Sequence, residues 1–133
     1  MTNRTPIFAE KGAKPAGQYS HAIVANGFVY VSGQGPHHPE TGEKPADFAG
    51  EVRQTLRNLE IILHAAGTDL AHVVKVNSYL SDLARFQEYN AIYSEFFPTE
   101  PPARTTIGCQ LNNIQVEIDC IAVLPSTNLP LSR

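Results

Sequence analysis

Arg104, in Pro102-Ala103-Arg104-Thr105-Thr106, and Glu117, in Val116-Glu117-Ile118, bring a guanidinium and a carboxylate into neighbouring strand-like segments. A guanidinium offers a planar fork that pairs bidentately with a carboxylate, a geometry that lysine does not reproduce. A glutamate moves protons to and from water most effectively when partial burial raises its pKa toward neutrality. The simpler alternative is an ion pair between Arg104 and Glu117 or Asp119 at an interface.

Three further segments carry polar groups at places where the chain must turn or pack. They are Gly17-Gln18-Tyr19-Ser20-His21, Val31-Ser32-Gly33-Gln34 and Tyr89-Asn90. Each has a plain structural reading: Tyr19 a packed aromatic, Ser32 a strand end before Gly33, Asn90 a hydrogen-bonding helix residue. His37-His38 lies in a Pro-rich loop with no further ligand at metal spacing, so both are expected to be solvated. Cys109 and Cys120 read as small core residues. There is no Ser-His-Asp order, phosphate loop or Cys-x-x-Cys motif.

The elements that must position these residues follow from periodicity. His21–Ala25 and Phe28–Ser32 are strand-like and flank Asn26-Gly27, a strong hairpin signal. The run from Gly33 to Pro45 holds Pro36, Pro39 and Gly42 and is expected to be a loop. From Asp47 to Ala66 the apolar residues Phe48, Val52, Leu56, Leu59, Ile62 and Leu63 recur at helical spacing, with Asp47 as cap and Gly67 as stop. Val73–Leu80 reads as a strand. Ser81-Asp82 caps a second helix over Leu83–Phe97, which Pro98 ends. Two more strands, Arg104–Leu111 and Ile114–Leu124, flank Asn112-Asn113, a pair that can form a tight hairpin turn.

The order is ββ-α-β-α-ββ, a mixed sheet carrying two helices, and right-handed crossovers set both helices on one face. Alternation then sorts the strands. Val116, Ile118, Cys120 and Ala122 share a face with Thr105, Ile107, Cys109 and Leu111, expected under the helices. Glu117, Asp119, Ile121 and Val123 share the other with Arg104, Thr106, Gly108 and Gln110, and the earlier hairpin adds Phe28, Tyr30, Ser32 and Gln34. That mixture of charge and aliphatic surface reads as a subunit interface holding a site. A two-residue turn at Asn112-Asn113 sets Gly108 opposite Glu117, leaving a hollow, and Thr106 opposite Asp119. Arg104 then lies roughly 13 Å along the strand from Gly108, which favours a site shared between neighbouring subunits.

The 133 residues, 42% of them hydrophobic, suit one domain over 1–133, with 1–18 an irregular lead-in and 125–133 a frayed tail. Ten Lys and Arg against thirteen Asp and Glu give a formal charge of −3, which supplies no broad basic footprint for a nucleic-acid partner. Two cysteines fit a reducing compartment. The start leads into no apolar signal region, and no stretch approaches the ~20 apolar residues of a membrane span. The expectation is a soluble cytoplasmic protein.

The segments quoted above, in their order and ending in Pro-Ala-Arg…Val-Glu-Ile, resemble the Rid (YjgF) family of imine/enamine deaminases over about Pro6 to Val123. The resemblance implies an α+β fold like chorismate mutase: a mixed six-stranded sheet with two helices on one face, assembled as a homotrimer with sites between subunits. It implies hydrolysis of 2-aminoacrylate/2-iminopropanoate and 2-iminobutanoate to 2-oxo acids and ammonia, with no cofactor and no metal. Arg104 matches the arginine that grips the substrate carboxylate and Glu117 the glutamate that handles water. Tyr19, Ser32, Gly33, Asn90 and Thr106 match the pocket lining. Thr106 stands where family deaminases often carry a cysteine, so no thiol takes part there. Parts of the wording are also similar to 2-aminomuconate deaminases, which act on a larger dicarboxylic substrate. A non-catalytic small-molecule-binding trimer and an RNA-cleaving translation inhibitor are the other functions attached to such chains.

Overall fold

The computed structural model describes residues 3–125. Within them run β1 (Arg4–Ile7), β2 (Ala22–Ala25), β3 (Phe28–Gln34), α1 (Phe48–Ala65), β4 (Val73–Leu80), α2 (Phe86–Phe96), β5 (Ala103–Gly108) and β6 (Val116–Val123). One sheet takes all six strands in the order β1-β2-β3-β6-β4-β5. The α+β class, the mixed six-stranded sheet and its two helices are therefore as expected. The sixth strand is β1, which pairs antiparallel with β2 inside the lead-in read as irregular. The expected frayed tail, beyond Pro125, lies outside the described residues.

Local chemistry explains the regular parts. Asn26 and Gly27 take φ of 53° and 81°, the left-handed pair that a two-residue hairpin turn needs. The Asp47 side chain accepts the Gly50 N–H at 2.9 Å and caps α1, a contact typically worth ~1 kcal/mol. Gly67 ends the helix region at φ 90°. The second helix starts later than expected. Asp82 accepts the Ala84 N–H, but Leu83–Arg85 is a 3₁₀ turn and α2 proper begins at Phe86.

The largest correction concerns the end of the chain. Asn112-Asn113 does not close a hairpin, because β6 already has β3 on one side and β4 on the other. With no free edge on β6, β5 pairs with β4 instead, in parallel, at the sheet margin. The connection is held at both ends by the tip of β4. Cys109 N–H donates to Leu80 O, and Ser81 N–H donates to Gln115 O. Glu51, 2% exposed on α1, accepts both the Gln115 N–H (2.9 Å) and its side-chain amide (3.0 Å).

This pairing inverts the face assigned to β5. Arg104 lies beside Val76, Thr106 beside Ser78 and Gly108 beside Leu80, so these three join the helix-covered face. Thr105 and Ile107 lie on the uncovered face. Cys109 is half-buried in the coil after β5 rather than facing the core. Gly108 lies under Leu83, where an added Cβ would meet Leu83 Cγ at 2.7 Å, so the hollow expected opposite Glu117 is not there.

On β6 the expected alternation holds. Val116, Ile118, Cys120 and Ala122 are buried with Val29, Val31, Val76 and Leu80 against the apolar stripe of α1. Burial raises the Cys120 thiol to about 12, first by desolvation and then by the nearby Asp119, so it is inert at neutral pH.

Candidate active site

The uncovered face holds Glu117, and a β-bulge determines its surroundings. Val31 pairs with Cys120, but Gln34 pairs with Ile118, so Ser32 and Gly33 together oppose Asp119. The extra residue turns Gln34 into the core, where its amide donates to the Ser32 and Gly33 carbonyls at 3.3 Å. Gln34 therefore leaves the face expected to carry it, and only Ser32 continues from Phe28 and Tyr30. Gly33 lies directly against Glu117, where an added Cβ would stand 2.4 Å from Oε2. The glycine that makes room for the carboxylate is Gly33, on β3.

Two acids on one strand face then behave differently. Both oxygens of Asp119 are engaged: Asn77 donates to Oδ1 and Tyr79 OH to Oδ2, each at 2.9 Å. Glu117, two residues earlier, has no hydrogen-bond partner among the described residues. Desolvation raises its pKa, and the Asp119 charge raises it further. Ser32 closes this side, its hydroxyl donating to Ser20 O at 2.7 Å. The Tyr19 hydroxyl accepts the Ala16 N–H at 3.0 Å, leaving the exposed ring on the surface.

Arg104 lies on the other side of the sheet. Its Nη2 donates to Asn90 Oδ1 at 2.8 Å. The guanidinium carbon sits 4.7 Å from the Tyr93 ring centroid, 5.4 Å from Tyr89 and 5.8 Å from Phe86, close enough for cation–π attraction. Phe86, Tyr89, Asn90 and Tyr93 share one face of α2 at i, i+3, i+4 and i+7. Phe86 and Tyr93 are not among the site residues expected from the sequence. The helical spacing of three aromatics around Asn90 was the signal for an arginine seat. Tyr89 is anchored through its hydroxyl to Ser78, and burial raises its pKa to about 12 against smaller lowering effects from Ser78 and Arg104. Thr106 Oγ1 and Tyr93 OH are buried near this seat without partners among the described residues.

Arg104 therefore pairs with neither Glu117 nor Asp119, and the interface ion pair does not form within the chain. β4 lies between their strands, which are two spacings, about 9.5 Å, apart; Glu117 aligns through Tyr79 with Ile107, three residues or about 10 Å along the strand from Arg104, and the two side chains point to opposite faces. Asn90, Arg104 and Thr106 gather on the α2 side. Ser32, Gly33 and Glu117 gather on the open side, with Tyr19 at its margin.

The open side also carries apolar surface. Phe28 is 38% exposed, Tyr30 45% and Ile107 45%, with Ile121 and Val123 between them half-covered. No helix among the described residues is long and apolar enough to cross a membrane.

Comparison with known proteins finds relatives over most of the chain. The family model described as Endoribonuclease L-PSP matches residues 10–124. A RutC family protein of Pyrococcus horikoshii is 40% identical, covering 87% of this chain and 94% of its own. Reactive Intermediate Deaminase A, chloroplastic, of Arabidopsis thaliana is 40% identical over 93% of this chain and 76% of its own. The crystal structure of E. coli TdcF with bound serine superposes with a TM-score of 0.87 at 30% identity, covering 91% of this chain and 99% of that one.

Proposed function

The chain belongs to the Rid (YjgF) family, and from that premise we propose that it hydrolyses small 2-imino acids to 2-oxo acids and ammonia, at sites shared between copies of the chain in a homotrimer. The observation that carries this reading is Glu117: a carboxylate with no hydrogen-bond partner among the described residues and a raised pKa, beside a glycine, on a sheet face that the helices leave open. The deaminase name of the Arabidopsis relative and the serine in the TdcF crystal support it.

The chemistry follows from the two halves. An imine carbon is already electrophilic, so the site must orient it and supply water. Arg104, presented by the edge strand β5, forks onto the substrate carboxylate of a site completed by a neighbour's open face. Glu117 takes a proton from water as its oxygen bonds to C2, and the C=N π electrons move to nitrogen. Glu117 then returns that proton to the nitrogen. Glu117 then takes the carbinolamine hydroxyl proton and passes it to the nitrogen, so that ammonia departs with the C–N bond pair as C=O forms. Such positioning is worth up to several kcal/mol and a placed acid/base typically 10²–10⁴-fold. Ser32, Gly33, Tyr19, Asn90 and Thr106 line or support the pocket, and no step calls for a metal or organic cofactor.

Trimer formation covers Phe28, Tyr30, Ile107, Ile121 and Val123, which would otherwise leave a large apolar patch in water. RNA cleavage, named in the family model's description, is the weaker reading. The open face sets Glu117 and Asp119 against Lys75, whose ammonium is engaged by Thr105 at 2.8 Å, and adds Arg4 and Lys14 only at its β1 margin, too few for a row of cations along a phosphate backbone. A cytoplasmic setting fits two free thiols.

The test is a coupled assay of ammonia and 2-oxo acid release from freshly generated 2-aminoacrylate and 2-iminobutanoate. Arg104→Ala is expected to lower kcat/KM by roughly 10²–10³-fold, with the trimer intact by light scattering. Unchanged turnover removes the carboxylate clamp.

A further inference from the structure

Two polar side chains interrupt the apolar stripe of α1 where it meets the sheet. Asn58, 1% exposed, and Glu51 are buried among Val52, Leu56, Leu59 and Ile62. They lie about two helical turns apart. Burying an amide or a carboxylate costs stability unless its polar atoms are bonded, and here the bonds lead to backbone beside the Glu117 niche. We propose that Asn58 and Glu51 are positioning residues for Glu117, holding the bulged register of β3 on β6 from the far side of the sheet. The proposal rests on the deaminase reading above for the role of Glu117 and adds what keeps its niche open.

Asn58 latches the exit of β3. Its Nδ2 donates to Gly35 O and His37 O, each at 2.9 Å, while its Oδ1 accepts the Gln54 amide at 2.9 Å. Glu51 latches the entry of β6 by accepting the Gln115 N–H and side-chain amide, and Gln115 O accepts the Ser81 N–H. The two latched segments touch: a Cβ on Gly35 would stand 3.2 Å from Ile114 Cδ1. Gly35 comes two residues after Gly33, and Gln115 two residues before Glu117. Each latch is therefore about 7 Å of strand from one wall of the niche.

The bulge is what needs holding. Without it, the Val31–Cys120 register would run on to set Ser32 opposite Asp119, Gly33 opposite Ile118 and Gln34 opposite Glu117. Such a one-residue slip moves every later side chain of β3 to the other face. Gln34 would leave the core for the open face, where its amide would donate to the Glu117 carboxylate and occupy the lone pairs that the reaction uses. The slip would also carry Gly35 O and His37 O about 3.3 Å along the strand and away from Asn58. Glu51 holds β6 against the same movement. Buried polar contacts of this kind specify register where an apolar residue would accept either one.

The test measures kcat and KM for 2-aminoacrylate hydrolysis in Asn58→Ala and Glu51→Ala, each made alone and in Glu117→Gln. Glu51 borders a surface hollow with Lys44, Leu111 and Gln115, so water can take the place of its carboxylate. Glu51→Ala therefore serves should Asn58→Ala fail to fold. Each substitution is expected to lower kcat by about 10–10²-fold, the scale of a misplacement of about 1 Å, with KM little changed. Neither is expected to slow Glu117→Gln further. Wild-type kcat overturns the proposal, and so does an equal fold loss in both backgrounds, because damage unrelated to Glu117 persists without it. If wild type hydrolyses no imine, the deaminase reading fails separately, and carbon NMR of the Glu117 carboxyl decides the positioning. Its titration midpoint, raised by desolvation and by Asp119, is expected to move down in either variant as Gln34 or water reaches the carboxylate. An unmoved midpoint refutes the latch.

Discussion

Arg104 and Glu117 lie on opposite faces of one sheet and are held in opposite ways. The guanidinium is bonded to Asn90 and flanked by Phe86, Tyr89 and Tyr93. The carboxylate of Glu117 has room beside Gly33 and no hydrogen bond among the described residues, while Asp119, on the same face, is tied by Asn77 and Tyr79. A clamp works best when its orientation is set before the ligand arrives, because less entropy is lost on binding. An acid/base must instead keep its lone pairs free and its pKa shifted toward the working pH. On the proposed function the α2 side has the first design and the open face the second.

The largest effect that would sharpen this contrast is expected from Glu117→Gln. It should lower kcat by about 10²–10⁴-fold while 2-oxo acid affinity, read by calorimetry, persists. Its effect on stability should have the opposite sign. A raised folded-state pKa means that the native state binds more protons than the unfolded state between the ordinary glutamate value and the raised one. Stability therefore falls as pH rises through that window, and Glu117→Gln should remove the fall in urea titrations across pH. A loss of ligand affinity equal to the loss of rate would erase the distinction between clamp and base.

Gly33→Ala tests the room given to the carboxylate. Its Cβ would lie 2.4 Å from Glu117 Oε2, so the side chain must move. A displacement of this size is expected to cost about 10–10²-fold in kcat, with ligand affinity again retained. A variant as fast as wild type would show that the position of Glu117 is not critical.

The smallest effect is expected on the clamp side. Tyr93 OH is buried without a partner among the described residues, and its pKa is raised chiefly by desolvation. Tyr93→Phe removes a desolvated hydroxyl and keeps the ring against Arg104. Urea denaturation is expected to show a gain of about 1 kcal/mol. A loss of stability would mean that the hydroxyl is engaged in the assembled protein.

Much of this was legible in the sequence because local chemistry dominates there. Asn26-Gly27, the Asp47 cap, the α1 stripe and the alternation along β6 are each decided within a few residues. What failed was non-local. Asn112-Asn113 has suitable turn chemistry, but whether β5 folds back on β6 depends on β3 and β4 having taken both of its edges. The face of Arg104 followed from that pairing and inverted with it. The bulge had a local marker, Gly33 inside a strand, yet its consequence, Gln34 turned inward and Glu117 given room, needs the register against β6. β1 was hidden because Arg4–Ile7 is short and carries Pro6, a residue confined to edge strands. The family resemblance named Arg104, Glu117, Ser32, Gly33 and Asn90 without telling which of them meet.

The central claim is that one site takes Arg104 from one subunit and Glu117 from the next. The direct measurement mixes two inactive proteins, Arg104→Ala and Glu117→Gln, refolds or co-expresses them with different tags, and verifies mixed trimers by native mass spectrometry. In a cyclic trimer each seam joins unlike surfaces of two neighbours, so random assortment leaves roughly one seam in four with both groups intact. Recovery toward a quarter of wild-type imine hydrolysis is the predicted result. Mixed trimers no more active than either variant alone would contradict the shared site.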